Sequence, residues 1–276
     1  MIDVQSHPVF LSPQQINPSY PLFVFLPGMD GTGKLLRTQT VGLEKTFNVR
    51  CLAIPPDDLT SWDILAEKVI ALIQTELVKV PQQSVYLCGE SFGGCLALKV
   101  ALKAPDLFER IVLVNPASSF GRRPWIYWGS LLVRWLPQFL YQASAVTLLP
   151  FLAALERISP EDRYALLAAM RSVPQRTSLW RLSLLSQFNL DEKQIYRLSQ
   201  PVLLIASEAD RLLPSLAETK YLLQKFPHAQ LVTLPHSGHA CLLEADINLY
   251  EIMRSRNFLG KLDCPLASGK GVSSEH

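Results

Sequence analysis

The stretch Ser84-Val85-Tyr86-Leu87-Cys88-Gly89-Glu90-Ser91-Phe92-Gly93-Gly94-Cys95-Leu96-Ala97-Leu98 decides the reading of this chain. Its first five residues are a short apolar run of strand character. The residues from Gly94 to Lys103 are mostly helix formers. Between them lies Gly-x-Ser-x-Gly, which at a strand-to-helix junction reads as a sharp turn presenting a serine hydroxyl above the sheet edge. The two glycines allow backbones to pass where a Cβ would clash. The bare pentapeptide carries little information, because both residue types are common. The flanking strand, the flanking helix and the adjacent Gly93-Gly94 pair make it specific.

Two further apolar runs end in polar residues of the right kind. Pro201-Val202-Leu203-Leu204-Ile205-Ala206 is followed by Ser207-Glu208-Ala209-Asp210. Gln230-Leu231-Val232-Thr233-Leu234 is followed by Pro235-His236-Ser237-Gly238-His239. The order Ser, Asp, His, each just past a strand, predicts an α/β fold of the α/β-hydrolase type. A serine hydroxyl needs an imidazole to remove its proton. The imidazole in turn needs a carboxylate to hold its tautomer and its charged form. Asp210 is preferred to Glu208 as that carboxylate, because Arg211-Leu212-Leu213-Pro214 leads into a new helix. His239 is preferred to His236, because Ala240-Cys241-Leu242-Leu243-Glu244 reads as the start of the last helix and places His239 at a loop–helix junction. His228 reads as solvated at a helix exit, and His7 and His276 carry no signal.

The strand Pro21-Leu22-Phe23-Val24-Phe25-Leu26 runs into Pro27-Gly28-Met29-Asp30-Gly31-Thr32-Gly33. In this architecture that loop supplies one oxyanion N–H and the residue after the nucleophile supplies the other, so Met29 and Phe92 are the expected donors. The loop lacks both the Gly-x-Gly-x-x-Gly pattern and a Lys-Ser/Thr ending, so nucleotide use is not expected. Asp30 is left either to brace the loop or to touch a substrate head group.

A net charge of +2 does not suggest nucleic acid. At 49% apolar and 18% charged residues, the 276-residue chain is greasy and long enough for one large core. Cys51, Cys88, Cys95, Cys241 and Cys264 form no Cys-x-x-Cys pair, and their number is odd. They read as reduced, mostly buried thiols; no metal and no cofactor is expected. The first residues lack a basic segment and an apolar segment, so no secretory signal is read. The expected location is cytoplasmic, or peripheral on the cytoplasmic face of a thylakoid-like membrane.

Strands are expected near residues 22–26, 48–54, 84–88, 110–115, 201–206 and 230–234. Helices are expected near 34–44, 61–78, 92–104, 215–226 and 240–254. Strand runs that are apolar throughout and alternate with helices imply a mainly parallel sheet covered on both faces. One or two short edge strands are expected before Ser19. Between Asn115-Pro116-Ala117 and Pro201 no run reads as a strand. The expected organisation is a core of residues 1–119 and 197–262, a helical cap over 120–196, and a loose Gly/Ser-rich tail over 263–276. The cap contains Trp125, Trp128 and Trp135, expected as lid and substrate residues. From Trp135 to Leu155 there is no charged residue. That run is long enough to span a bilayer, but Pro137, Pro150, Gln138 and Gln142 interrupt it. Two readings stay open: a cap with a buried inner face, or one whose outer aromatic surface dips into a membrane with Arg122, Arg123 and Arg134 at the head groups.

The chain resembles the phytyl ester synthase group of plants and cyanobacteria, also described as esterase/lipase/thioesterase proteins. The resemblance rests on Phe25-Leu26-Pro27-Gly28-Met29-Asp30-Gly31-Thr32-Gly33, Cys51-Leu52-Ala53-Ile54-Pro55, the Ser91 stretch through Leu98, and Leu113-Val114-Asn115-Pro116-Ala117-Ser118-Ser119-Phe120. The Leu-Pro-Gly-x-Asp-Gly loop is the more specific part, since most relatives carry His-Gly there. The resemblance covers roughly residues 20–250. It implies acyl transfer to phytol or diacylglycerol from acyl-CoA, acyl carrier protein or galactolipid, in or beside thylakoids. Plant members continue into an acyltransferase-like domain with a His-x-x-x-x-Asp motif, which this sequence lacks, so hydrolysis is the plainer expectation. The resulting reading is a serine acyl hydrolase or acyltransferase on lipophilic esters, working through an acyl-enzyme on Ser91. The rivals are an acyl-thioesterase or another hydrolase of the fold on a small substrate, and a non-catalytic ligand-binding protein on the same fold.

Overall fold

The structure, a computed structural model, describes residues 7–11, 17, 19–80, 84–122 and 137–260. Seven strands form one sheet in the order β1-β3-β2-β4-β5-β6-β7. They are β1 (Val9–Leu11), β2 (Leu22–Leu26), β3 (Asn48–Ala53), β4 (Val85–Glu90), β5 (Arg110–Val114), β6 (Val202–Ser207) and β7 (Ala229–Leu234). Only β1 runs antiparallel, pairing Val9 with Ala53 and Leu11 with Cys51 at the edge. This is the short edge strand expected before Ser19, and the other pairs are parallel as expected.

Two-sided burial explains why the central strands β2, β4, β5 and β6 are mostly apolar. Leu22, Val24 and Leu26 face one apolar cluster together with Val85, Leu87, Ile111, Leu113, Val202 and Leu204. Phe23, Phe25, Tyr86, Cys88, Val112, Val114, Leu203 and Ile205 face the other. Alternate residues point to opposite faces, so a strand covered by helices on both sides has no polar position to spare. Helices α2 (Trp62–Lys79), α3 (Phe92–Lys103) and α8 (Ser215–Leu223) pack on the first face. Helices α1 (Arg37–Leu43) and α9 (Leu249–Ser255) cover the second.

Between β5 and β6 the described chain is helical: α4 (Gln138–Leu152), α5 (Pro160–Ser172), α6 (Gln175–Ser186) and α7 (Glu192–Ile195). Its contact with a strand-free part of the core is a separate small cluster of Leu35, Ala153, Ile158, Leu166, Ala169 and Leu243. No described helix is long and apolar enough to cross a membrane. Trp125, Trp128, Trp135, Arg123 and Arg134 lie outside the described residues, as does the tail from residue 261.

One expectation is corrected. Residues 240–254 do not form a single helix: Cys241–Leu243 is a 3-10 turn, and the helix begins at Leu249. The intervening chain is claimed by other partners. Glu244 pairs with Arg157 at 2.7 Å and bridges Ile158, and Ala245 N–H donates to the Arg157 carbonyl. Asn248 then caps α9 by accepting from Glu251 N–H.

Candidate active site

The sheet order reverses direction between β2 and β4, and the crevice at such a switch point is where open α/β sheets place ligands. Ser91 follows β4 there and adopts φ 53°, ψ −113°, a left-handed conformation that a non-glycine residue holds only under constraint. The constraint comes from both sides. Ser91 N–H donates to the Val114 carbonyl at 3.0 Å, and the Ser91 carbonyl accepts from Gly94 and Ala117. The glycines are obligatory for close approach: a Cβ at Gly93 would lie 2.0 Å from the Leu26 carbonyl oxygen, and one at Gly89 would lie 2.2 Å from that of Gly93.

His239 Nε2 lies 2.8 Å from Ser91 Oγ, and His239 Nδ1 lies 2.7 Å from Asp210 Oδ2. The side chains of His239 and Asp210 are only 4% and 1% exposed, so the pair is shielded from water. The other carboxylate oxygen of Asp210 accepts from the N–H groups of Leu212 and Leu213 at 2.8 and 2.9 Å, and Ser215 Oγ donates to Oδ2. Burial works against the charged forms of both residues. Their mutual attraction and hydrogen bonds win, holding Asp210 below and His239 above their ordinary values. This arrangement can take a proton from a hydroxyl and stabilise the resulting imidazolium. His236 and Glu208 are exposed and stand outside it.

Met29 and Phe92 flank the same serine. A Cβ at Gly28 would lie 3.9 Å from Ser91 Cβ, which puts the loop after β2 directly against the elbow. Among the described residues, neither Met29 N–H nor Phe92 N–H donates to another backbone carbonyl. The Gly28 carbonyl accepts from Gly31 N–H at 3.0 Å, and Asp30 Oδ2 accepts from Thr32 N–H at 2.8 Å and from its hydroxyl at 2.5 Å. Asp30 therefore braces its loop, one of the two roles expected for it. Burial raises its carboxyl above the ordinary value, against those hydrogen bonds and the Arg181 charge.

Several residues around the site have roles that the sequence reading does not assign. Asn115, in the left-handed region at φ 43°, donates to Ser207 Oγ and to the His239 carbonyl and accepts from Ser207 N–H. Glu244 accepts from Gly238 N–H at 2.8 Å. Glu90 is buried beside Ser91; burial pushes its carboxyl up to about 7, with His239 opposing and Asp30 adding to the shift. Arg181, on α6, is 2% exposed and reaches the loop after β2. Asn115 and Arg181 meet the site across more than ninety residues of sequence. No metal-binding cluster of His, Cys, Asp or Glu occurs among the described residues.

The sequence profile of the alpha/beta hydrolase fold matches residues 66–246, and the chain belongs to that family. Phytyl ester synthase 1, chloroplastic, of Arabidopsis thaliana is 32% identical over 257 residues, which are 85% of this chain but 36% of the plant protein. This chain thus spans little more than a third of that relative's length. The pimeloyl-(acyl-carrier protein) methyl ester esterase of Nitrosomonas europaea is 34% identical over 57% of this chain and 65% of its own. Among solved structures, an esterase from Exiguobacterium antarcticum superposes with a TM-score of 0.75 over 91% of this chain and 95% of its own, at 15% identity, a likeness of fold.

Proposed function

We propose that this chain is a serine esterase for lipophilic carboxylic esters, with Ser91 as nucleophile, His239 as general base and then acid, and Asp210 as the group that orients His239. The observation that carries the reading is the hydrogen-bonded chain Ser91–His239–Asp210, with the serine on a strained turn. Ser91 Oγ attacks the ester carbonyl as its proton passes to His239 Nε2. The tetrahedral oxyanion is held by Met29 N–H and Phe92 N–H. His239 then protonates the leaving alcohol, leaving an acyl group on Ser91. Water activated by the same imidazole releases the acid; a long-chain alcohol in its place makes a new ester. No cofactor is needed for any step.

The lipophilic substrate class is supported by the relatives' names and by the cap. Helix α4 carries no charged residue and exposes Leu140, Val146, Leu148 and Phe151. That composition suits contact with a lipid surface from which the acyl chain is drawn. The test is turnover of p-nitrophenyl and phytyl or glyceryl esters of increasing acyl length, together with labelling by a fluorophosphonate. Transfer of each CH₂ out of water contributes up to about 0.8 kcal/mol, or roughly fourfold in kcat/KM. A rise with chain length supports the reading. A preference for acetyl esters removes the lipid part, and absence of both labelling and turnover removes the serine esterase.

A further inference from the structure

The largest of the fully buried side chains among the described residues is a charged one. Arg181 is 2% exposed, yet it sits on helix α6, outside the sheet and its covering helices. Its Nη1 donates to the Met29 carbonyl at 2.6 Å and its Nη2 to the Pro55 carbonyl at 3.2 Å. A Cβ at Gly31 would lie 2.8 Å from Nη1, so the loop after β2 is wrapped closely around the guanidinium. Gly31 holds φ 69°, a conformation suited to glycine, and this lets the loop close over the charge. Burial pulls the guanidinium below its ordinary value, with Asp30 and Asp58 offsetting part of the effect.

The peptide planes on both sides of Met29 are therefore fixed. The Gly28 carbonyl is held by Gly31 N–H, which sets the plane that carries Met29 N–H on its opposite edge. The Met29 carbonyl is held by Arg181. The second expected donor is tied to the same helix by a different route. The Phe92 ring stacks on Trp62 at 4.6 Å between centroids, and Trp62 Nε1 donates to the Leu184 carbonyl of α6 at 2.8 Å. Trp180 Nε1 further anchors α6 to the Thr60 carbonyl at 2.9 Å.

Resting on the esterase reading above, we infer that Arg181 is a positioning residue that aims the Met29 N–H at the oxyanion, so that transition-state stabilisation depends on helix α6 being docked. A fork of fixed donors is suited to holding two carbonyls at once, whereas a lysine ammonium offers a single point. The role acts on the transition state and leaves ground-state binding of the ester nearly untouched.

The test compares Arg181→Met and Arg181→Lys with wild type on a p-nitrophenyl ester and on a trifluoromethyl ketone, whose adduct with a serine places an oxyanion in the hole. Removing an oxyanion donor costs roughly 10²–10³-fold in kcat. Misaiming one is expected to cost about 10–100-fold, with KM within about threefold and ketone affinity falling by the same factor as kcat. Arg181→Lys should recover part of both, and guanidinium added to Arg181→Ala should recover part of kcat. A folded Arg181→Met with kcat within about twofold of wild type overturns the inference, as does a loss confined to KM. Should Arg181→Met fail to fold, an Arg181→Lys protein with unchanged kcat and ketone affinity overturns it as well. A wild-type protein that neither labels nor turns over sinks the esterase reading along with it, whereas an active wild type with an indifferent Arg181→Met sinks the inference alone.

Discussion

The side-chain amide of Asn115, at the end of β5, donates to the carbonyl oxygen of His239 at 2.8 Å. The same side chain exchanges hydrogen bonds with Ser207 at the end of β6. One buried asparagine thus ties two strand ends to the loop that presents the imidazole. Asn is among the few residues that enter the left-handed region at modest cost, which suits its φ of 43°. Asn115→Ala leaves the buried Ser207 N–H and His239 carbonyl without this partner, at roughly 1–3 kcal/mol for each unsatisfied group. The expected outcome is a fall in Tm of about 5–10 °C together with reduced kcat, measured by calorimetry and by ester hydrolysis. Unchanged Tm would show that these groups find other partners.

Ser91→Ala should remove fluorophosphonate labelling and lower turnover by on the order of 10⁴-fold or more, while circular dichroism and Tm stay near wild type. The strained φ of Ser91 is imposed by its neighbours, so the substitution leaves the elbow in place. Activity within tenfold of wild type would take Ser91 out of its role.

His239→Ala should cost far more in kcat than His236→Ala, because only His239 touches both Ser91 and Asp210. His236 is exposed, and its removal should change kcat by less than about twofold. Asp210→Asn, which keeps the shape but disturbs the imidazole tautomer, should cost about 10³–10⁴-fold. Glu208→Gln should be near neutral. A reversed ranking in either pair would reassign the base or its orienting carboxylate.

The pH dependence follows from the two shifted groups nearest Ser91. His239 is raised above its ordinary 6.5, so the acid limb of kcat/KM should have its midpoint above that value, activity being lost as pH falls and the base is protonated. The Glu90 charge contributes to that rise, so Glu90→Gln should move the limb to lower pH. Stability moves with the opposite sense of pH. Glu90 has its carboxyl raised from 4.5 to about 7, so the native state prefers it neutral. That preference is harmless below 4.5 and costs stability as pH rises to about 7, reaching on the order of 3 kcal/mol. Glu90→Gln should therefore raise Tm more at pH 8 than at pH 5. Equal changes at the two pH values would mean that Glu90 is not titrating between them.

The apolar surface of α4 gives the lipid prediction. Val146 and Phe151 are 48% and 52% exposed, and neither belongs to the apolar clusters that join the helices between β5 and β6 to the core. Replacing both with Glu should weaken binding to phospholipid vesicles and lower turnover of long-chain esters, while p-nitrophenyl butyrate hydrolysis stays within about twofold. Equal loss on both substrates would point to a damaged site, and no loss on either would leave α4 an ordinary surface helix.

Much of this molecule was legible in its sequence because strand burial and elbow chemistry are local. A parallel strand covered on both faces is apolar at nearly every position, so β2, β4, β5 and β6 show as apolar runs, whereas β3 admits the buried Arg50, paired with Glu76, and β7 exposes Gln230 and Thr233. The Gly-x-Ser-x-Gly turn needs small residues at fixed offsets, and Asp210 and His239 stand just beyond their strands. The chain after His239 reads as a helix in sequence, because Ala240-Cys241-Leu242-Leu243-Glu244 has helical propensity, but folds as a 3-10 turn. Only the fold supplies the competing partners, Gly238 N–H and Arg157, that draw Glu244 out of a helical turn. The same holds for Asn115, Glu90 and Arg181. An asparagine after a strand, a glutamate inside the elbow and an arginine on a helix are ordinary in one dimension. Their importance comes from burial and from partners dozens to more than a hundred residues away. Local sequence determined which groups could do the chemistry; tertiary packing decided which of them are desolvated, pinned and within hydrogen-bond reach of one another, because those quantities depend on distances that no local pattern encodes.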